Sequence, residues 1–185
     1  MIGNIKNKTV EKMEQTLNVL RKDMGSVRTG RASLSLLDGI MVNYYGTPTA
    51  VSQVASLAVP ESRLIVIQPW DQKMIPEIEK AIMASPLGLT PANDGKVIRL
   101  PIPPLTEERR REIVKLLKKM AEDTRVAIRN IRRDSNDEVK KTGKESNISE
   151  DEIKKSQEEM QKLTDQYIHK IDEILKKKEL EIMEV

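Results

Sequence analysis

Along the first thirty residues, apolar side chains recur at Val10, Met13, Leu17, Leu20, Met24 and Val27. Their spacing alternates three and four, which puts all six on one face of a helix and leaves the polar residues on the rest. The small residues from Ser26 to Gly30 should stop that helix or turn it. The pattern then changes. Ile40–Tyr45 and Arg63–Ile67 are rich in β-branched and aromatic residues, as strands are, and Tyr45-Gly46-Thr47-Pro48 follows the first as a turn. Met74–Ala84 predicts a short helix with Ile75, Ile78, Ile82 and Met83 on a common side. Asn93-Asp94-Gly95 is a turn signal ahead of another strand, Lys96–Leu100. Apolar runs of two or three residues predict strands covered on at least one face. Trp70, after Gln68-Pro69, is expected to pack within this small module.

Pro101-Ile102-Pro103-Pro104 admits neither helix nor central strand and predicts a stiff, extended connector. Thr106 can cap the helix that follows, with Glu107 and Glu108 in the first turn, where the helix dipole favours anions. That helix has Ile113, Leu117, Met120, Thr124, Ile128 and Ile131 on one side. It should run to about Thr142, a length of roughly 50 Å, with Gly143 ending it. Ser149-x-x-Glu152 reads as a capping box opening the last helix, whose seam is Ile153, Met160, Leu163, Tyr167, Ile171 and Ile174. Three long helices with apolar seams predict a bundle. The fold class is therefore α+β: a long three-helix bundle from residues 1–30 and 105–185, with a small, β-rich α/β domain inserted at 31–104. Two adjacent linkers join them, one at Gly30 and Arg31, the other at Pro101, Ile102, Pro103, Pro104 and Leu105. Paired linkers predict a hinge.

Composition narrows the function more than the fold. The 185 residues include no Cys and no Phe, with one Trp and three Tyr. Without Cys there are no disulfides, thiolate metal sites or cysteine nucleophiles, and a reducing compartment fits. No run of eighteen apolar residues is long enough to span a membrane, and the first fifteen residues lack the apolar block of a signal peptide. A cytoplasmic protein without membrane contact is expected. His169, the only histidine, is expected at the surface or the edge of a seam. Glycine-rich phosphate loops, paired histidines and a Gly-x-Ser-x-Gly elbow are absent from the sequence. No carboxylate lies in an apolar context that would shift its pKa. The expectation is a protein with no catalytic residue, metal, cofactor or small-molecule substrate.

Charge supplies the positive evidence. The net charge of +3 is modest, so its distribution decides. Residues 31–105 hold six basic and six acidic side chains, and the dense charge lies in the helical ends. On a wheel that advances about 100° per residue from Ile113, the core residues occupy one arc. An adjoining sector, from roughly 100° to 200°, holds Arg111, Val114, Lys115, Lys118, Glu122, Arg125, Arg129, Arg132, Arg133, Asn136 and Lys140. Glu112, Asp123, Asp134, Asp137 and Glu138 fall elsewhere. Charges sorted by face, instead of alternating along one, predict a basic stripe that is nearly unpaired. A stripe of this kind can be a merely solvated surface. Its C-terminal half is arginine, however, whose planar fork binds phosphate oxygens in two places. With no aromatic residue on this helix, phosphate contact along a structured RNA groove fits better than stacking. A general RNA- or nucleoid-binding protein would use the same stripe, and a protein–protein adaptor would leave it solvated.

Val27-Arg28-Thr29-Gly30-Arg31-Ala32-Ser33, Tyr44-Tyr45-Gly46-Thr47-Pro48, the run from Asp94 through Arg110, and Arg129-Asn130-Ile131-Arg132-Arg133-Asp134 form a further set of motifs. Together they resemble those of the bacterial ribosome recycling factor family. The resemblance covers the whole chain; Leu34 and Ala50 depart from it, standing where many relatives carry proline. It implies an L-shaped molecule outlined like transfer RNA, acting as a monomer on the post-termination ribosome. It further implies that the bundle lies on large-subunit ribosomal RNA while the small domain swings about the linkers. Elongation factor G, a GTPase, would supply the energy to split the subunits and release mRNA and tRNA. Among the stripe residues, Arg129 and Arg132 match the family's RNA-contacting arginines best. Arg110 near the helix start is a further candidate, as are Arg28 and Arg31 at the first linker. Arg125, Arg133 and Lys118 complete the expected RNA-binding set.

Overall fold

The computed structural model describes residues 2–183. In chain order the elements are α1 (Ile2–Ser26), β1 (Met41–Tyr44), β2 (Thr47–Ala50), α2 (Val51–Val54), β3 (Ala55–Glu61), β4 (Leu64–Pro69), α3 (Ile75–Ala84), β5 (Ala92–Asn93), β6 (Ile98–Pro101), α4 (Glu107–Glu145) and α5 (Glu150–Met183). Contacts divide the described residues into two units, one from 2–28 with 107–183 and one from 29–106. The α+β class read from the sequence is the class observed.

The first unit is α1, α4 and α5 packed on one another. In α1 the buried positions are Ile5, Thr9, Met13, Leu17, Leu20 and Met24. Val10 is only half-buried and Val27 lies past the helix end, so the seam starts earlier than predicted and turns polar at Thr9. The Thr9 hydroxyl donates to the Ile5 carbonyl (2.7 Å) and lies 2.7 Å from that of Ser135 on α4, which therefore donates to it. This buried pair ties α1 to α4 at one register. Acidic Glu107 and Glu108 open α4, offsetting the partial positive charge of its first N–H groups.

Gly143 does not end α4. The helix continues to Glu145, and its terminator is Asn147, at φ 50°. Asn tolerates this left-handed conformation better than most residues, and it lets the Ile148 N–H reach back to the Gly143 carbonyl (2.9 Å), a Schellman closure. Gly143 is needed for packing instead. A Cβ there would lie 2.7 Å from Cγ1 of Ile153 on α5, so only glycine lets the two helices approach this closely. Ser149 then caps α5, its hydroxyl accepting from the Glu152 N–H (3.3 Å).

The second unit has a four-stranded antiparallel sheet in the order β3-β4-β6-β5, and a separate β1–β2 hairpin. Ile65 and Ile67 on β4 face Leu100 and Ile98 on β6, and all four are fully buried. They form one core with Ile78 and Ile82 of α3 and with Val42, Val51 and Val54. The other face of β4 stays partly open at Leu64 and Val66, so the strands are covered on one side. The hairpin turns at Tyr45 (φ 48°) and Gly46 (φ 86°), both left-handed, which matches the twist of the paired strands. At the β5–β6 turn the Asp94 carboxylate accepts from the N–H groups of Val97 (2.9 Å) and Lys96 (3.0 Å) and from Arg99 (2.9 Å). Those bonds hold it well below the usual carboxylate range.

Three expectations fail in this unit. Trp70 is 72% exposed and packs on nothing central; β4 buries Ile65, Ile67 and Pro69, so by strand alternation the next position faces out. Met83 is 68% exposed because the core side of α3 is narrower than the sequence pattern. Pro101 closes β6, a central strand, opposite Leu64; β5 pairs with β6 only at Ile98 and Arg99, so no ladder bond is lost there.

The segments predicted to be linkers are folded onto this unit. The Ala32 N–H donates to the Ser62 carbonyl (2.7 Å), and the Ile102 N–H donates to that of Arg63 (2.8 Å). Ile102 is itself part of the core. Gly30, at φ 74°, lies against Leu105, where a Cβ would come within 2.9 Å of Cγ. Gly30, Arg31 and residues 101–105 thus belong to the second unit, and the chain passes between units only at 28–29 and 106–107.

Candidate nucleic-acid interface

The candidate interface is built on α4, 39 residues long and so about 58 Å from end to end. Its buried positions are Ile113, Leu117, Ala121, Ile128, Ser135, Val139 and Gly143. Met120, Thr124 and Ile131, expected in the seam, are only half-buried. The buried line drifts around the helix because 3.6 residues per turn does not match a seven-residue repeat. Toward its C-terminal half it approaches the arginine stripe, whose inner edge meets α5.

That contact overturns the expectation of a nearly unpaired stripe. Arg125 donates through Nε (3.1 Å) and Nη2 (2.5 Å) to one oxygen of Asp172 on α5, and through Nη1 (3.0 Å) to Glu122. Its side chain is only 20% exposed. The hydrogen bond to Asp172, and then that to Glu122, hold the guanidinium above its ordinary pKa against the effect of burial. Arg125 is a clamp between two helices. The second oxygen of Glu122 accepts from Arg129 (3.4 Å), whose side chain is 41% exposed. Glu122 is kept below its usual pKa chiefly by Arg125, with Arg129 adding to the effect, and is ionised at neutral pH. The four groups form one row, Asp172–Arg125–Glu122–Arg129, with no net charge.

Arg132 is placed differently. Its Nη1 donates to the amide oxygen of Gln161 (2.5 Å), and Gln161 donates in turn to Asp165 (2.9 Å). Because its acceptor is a neutral amide, that bond does not offset the positive charge of Arg132, while one edge of its fork is held in place. Arg133 and Lys118 are exposed. Arg110 is half-buried near the start of α4, and its buried Nε has no hydrogen-bond partner among the described residues. Arg28 is exposed just beyond α1, whereas the half-buried Arg31 belongs to the second unit. The structure thus gathers Arg125, Arg129 and Arg132 in one stretch of α4, with Arg125 and Arg132 bonded to α5 and Arg129 to Glu122 of its own helix. Glu112, Asp123, Asp134, Asp137 and Glu138 are all exposed and make no part of this row. What the sequence did not disclose is the contribution of α5. Asp172 and Gln161 lie 47 and 29 residues from the arginines they meet, and nothing in the order of residues signals the pairing.

His169 is exposed beside Glu173 (3.2 Å), in the surface position expected. Among the described residues no cluster of His, Asp and Glu could hold a metal ion, and no helix is long and apolar enough to cross a membrane.

A family model described as ribosome recycling factor matches residues 20–183. The chain is 60% identical over 175 residues to the ribosome-recycling factor of Desulfosudis oleivorans, covering 95% of each. It is 56% identical over 185 residues, the whole of both chains, to that of Geobacillus sp. strain WCH70. Among solved structures, the solution structure of the ribosome recycling factor is similar at TM-score 0.76 and 43% identity, over 100% of this chain and 98% of the other. A chain in the models for the T. thermophilus ribosome recycling factor and the E. coli elongation factor G bound to the E. coli post-termination complex is similar at TM-score 0.65. It is 44% identical, over 98% of both chains. Identity of this order along the full length, together with the shared fold, settles the assignment: this chain belongs to the ribosome recycling factor family.

Proposed function

We propose that this protein is a non-catalytic translation factor of the cytoplasm that binds the post-termination ribosome through large-subunit ribosomal RNA. With elongation factor G and GTP it splits the ribosome into subunits, releasing mRNA and tRNA for another round. The observation that carries this reading is the arginine-bearing edge of α4, set apart from Glu112, Asp123, Asp134, Asp137 and Glu138 and built on a three-helix bundle. Arg132 and Arg129 anchor it on phosphates, Arg133 and Lys118 extend it, and Arg125 holds α5 in place behind it. Arg110, Arg28 and Arg31 contribute further positive charge near the start of α4 and at the first linker. Arginine suits this work because its charge persists at any physiological pH and its fork fits phosphate.

Movement of the second unit about the first is assigned to the two crossing points at 28–29 and 106–107. Gly30, Arg31 and Pro101–Leu105 act there as stiff attachments. Post-termination ribosomes mixed with this protein, elongation factor G and GTP should fall in light scattering as subunits separate, and omission of either protein should prevent the fall. Scattering that stays constant with both present contradicts the proposal.

A further inference from the structure

Glu122 is the one acid of the stripe between Arg111 and Lys140, and its carboxylate spans two arginines, with Arg125 on one oxygen and Arg129 on the other. The two bonds are not equivalent. Arg125 is short-bonded on both sides and mostly covered, so it is the more firmly held of the two arginines. Arg129 is more exposed and its bond to Glu122 is the longest in the row, at 3.4 Å. Any phosphate that takes the Arg129 fork approaches a carboxylate that Arg125 holds in place. A carboxylate oxygen and a phosphate oxygen ask for the same N–H donors, and two anions on one cation repel.

We propose that Glu122 is a built-in competitor for RNA phosphate at the centre of the stripe. It aligns Arg129 in the free protein, gives it up on binding, and thereby limits affinity and speeds release. This rests on the reading of α4 as the RNA-binding face. A factor that acts repeatedly has to leave each ribosome, so a face tuned below its greatest possible affinity serves it better than an all-basic one. Glu122 acts through Arg129 and is a positioning residue, not itself an RNA contact.

The test is equilibrium binding and dissociation of the full-length protein on 70S ribosomes across a salt series. Glu122→Gln keeps the side chain's shape and helix propensity but removes its charge. It should tighten binding roughly two- to fivefold at low salt, the range expected for one charge removed a few ångströms from another in water, and the gain should shrink as salt rises. Dissociation should slow by a similar factor. Asp123→Asn changes net charge equally from the next position around the helix, outside the row, and should give a clearly smaller gain. Adding Arg129→Ala to Glu122→Gln should abolish most of the gain. Unchanged or weakened binding by Glu122→Gln, with circular dichroism showing the helices intact, overturns the competitor role, as does an equal gain from Asp123→Asn. The two readings fail separately. If Arg132→Ala and Arg133→Ala weaken binding while Glu122→Gln does not strengthen it, only the competitor role falls. If none of these changes binding, the RNA-binding face falls with it.

Discussion

Arg125, Arg129 and Arg132 occupy neighbouring turns of one helix and look equivalent in the sequence, yet each has a different task set by its acceptor. Arg125 meets two carboxylates and becomes internal structure; Arg129 meets half of one; Arg132 meets a neutral amide and keeps its charge for a partner. Acceptors on a second helix decide which basic residue is available, and their positions follow from how α4 and α5 pack. Trp70 makes the same point for an apolar residue. Its side chain is expected to pack within the small module, but β4 buries Ile65, Ile67 and Pro69, and the alternation leaves the next position facing out. Trp70→Ala should therefore alter stability by less than about 1 kcal/mol in denaturant unfolding, as is usual for surface substitutions. Iodide should quench the fluorescence of this single tryptophan in the native protein. A loss of several kcal/mol, or a shielded ring, contradicts the exposed placement.

At the scale of elements, the long helices were legible because their heptad seams repeat over many turns. The details that were not legible lie where small or polar residues stand in the seam. Thr9, Ala121, Ser135 and Gly143 are buried at helix contacts, and no hydrophobicity pattern marks them. Gly143 in particular looked like a helix end because glycine so often is one. Asn147, four residues on, performs that task, and Gly143 admits the side chain of Ile153. Gly143→Ala should destabilise the bundle by about 1–3 kcal/mol, the range for overpacking a close contact, even though alanine favours helix over glycine. Adding Ile153→Val should restore part of the loss in thermal or denaturant unfolding. A stabilising Gly143→Ala would show that α4 and α5 do not meet so closely. Strands were read less well: β2 and β3 contain prolines at Pro48 and Pro60, and most of their positions are exposed. The alternation that identifies a half-buried strand is missing from both.

At the scale of the whole molecule, the sequence indicated a basic helix and a pair of linkers, and the structure redistributes the work between them. Ile102 is core, Pro101 closes a strand, and Pro103 and Pro104 are the prolines of the run that lie outside both strand and core. Stiffness at these two positions is expected to transmit motion of the second unit. Replacing Pro103 and Pro104 by Gly and Ser should leave ribosome affinity within about twofold, because the α4 stripe is untouched, while slowing subunit splitting; undiminished splitting would make that stiffness irrelevant. The proposal assigns binding itself to α4, and there Arg132 offers the sharpest distinction, being charged and held in orientation by a bond to a neutral amide. The most direct measurement is ribosome affinity of Arg132→Ala and Arg132→Lys as a function of salt. Arg132→Ala should bind several-fold more weakly at low salt, and the slope of log affinity against log salt should fall by about one. Arg132→Lys should keep the slope and lose part of the affinity, since lysine has the charge without the fork. Affinity and slope both unchanged in Arg132→Ala would contradict the assignment of RNA binding to this face.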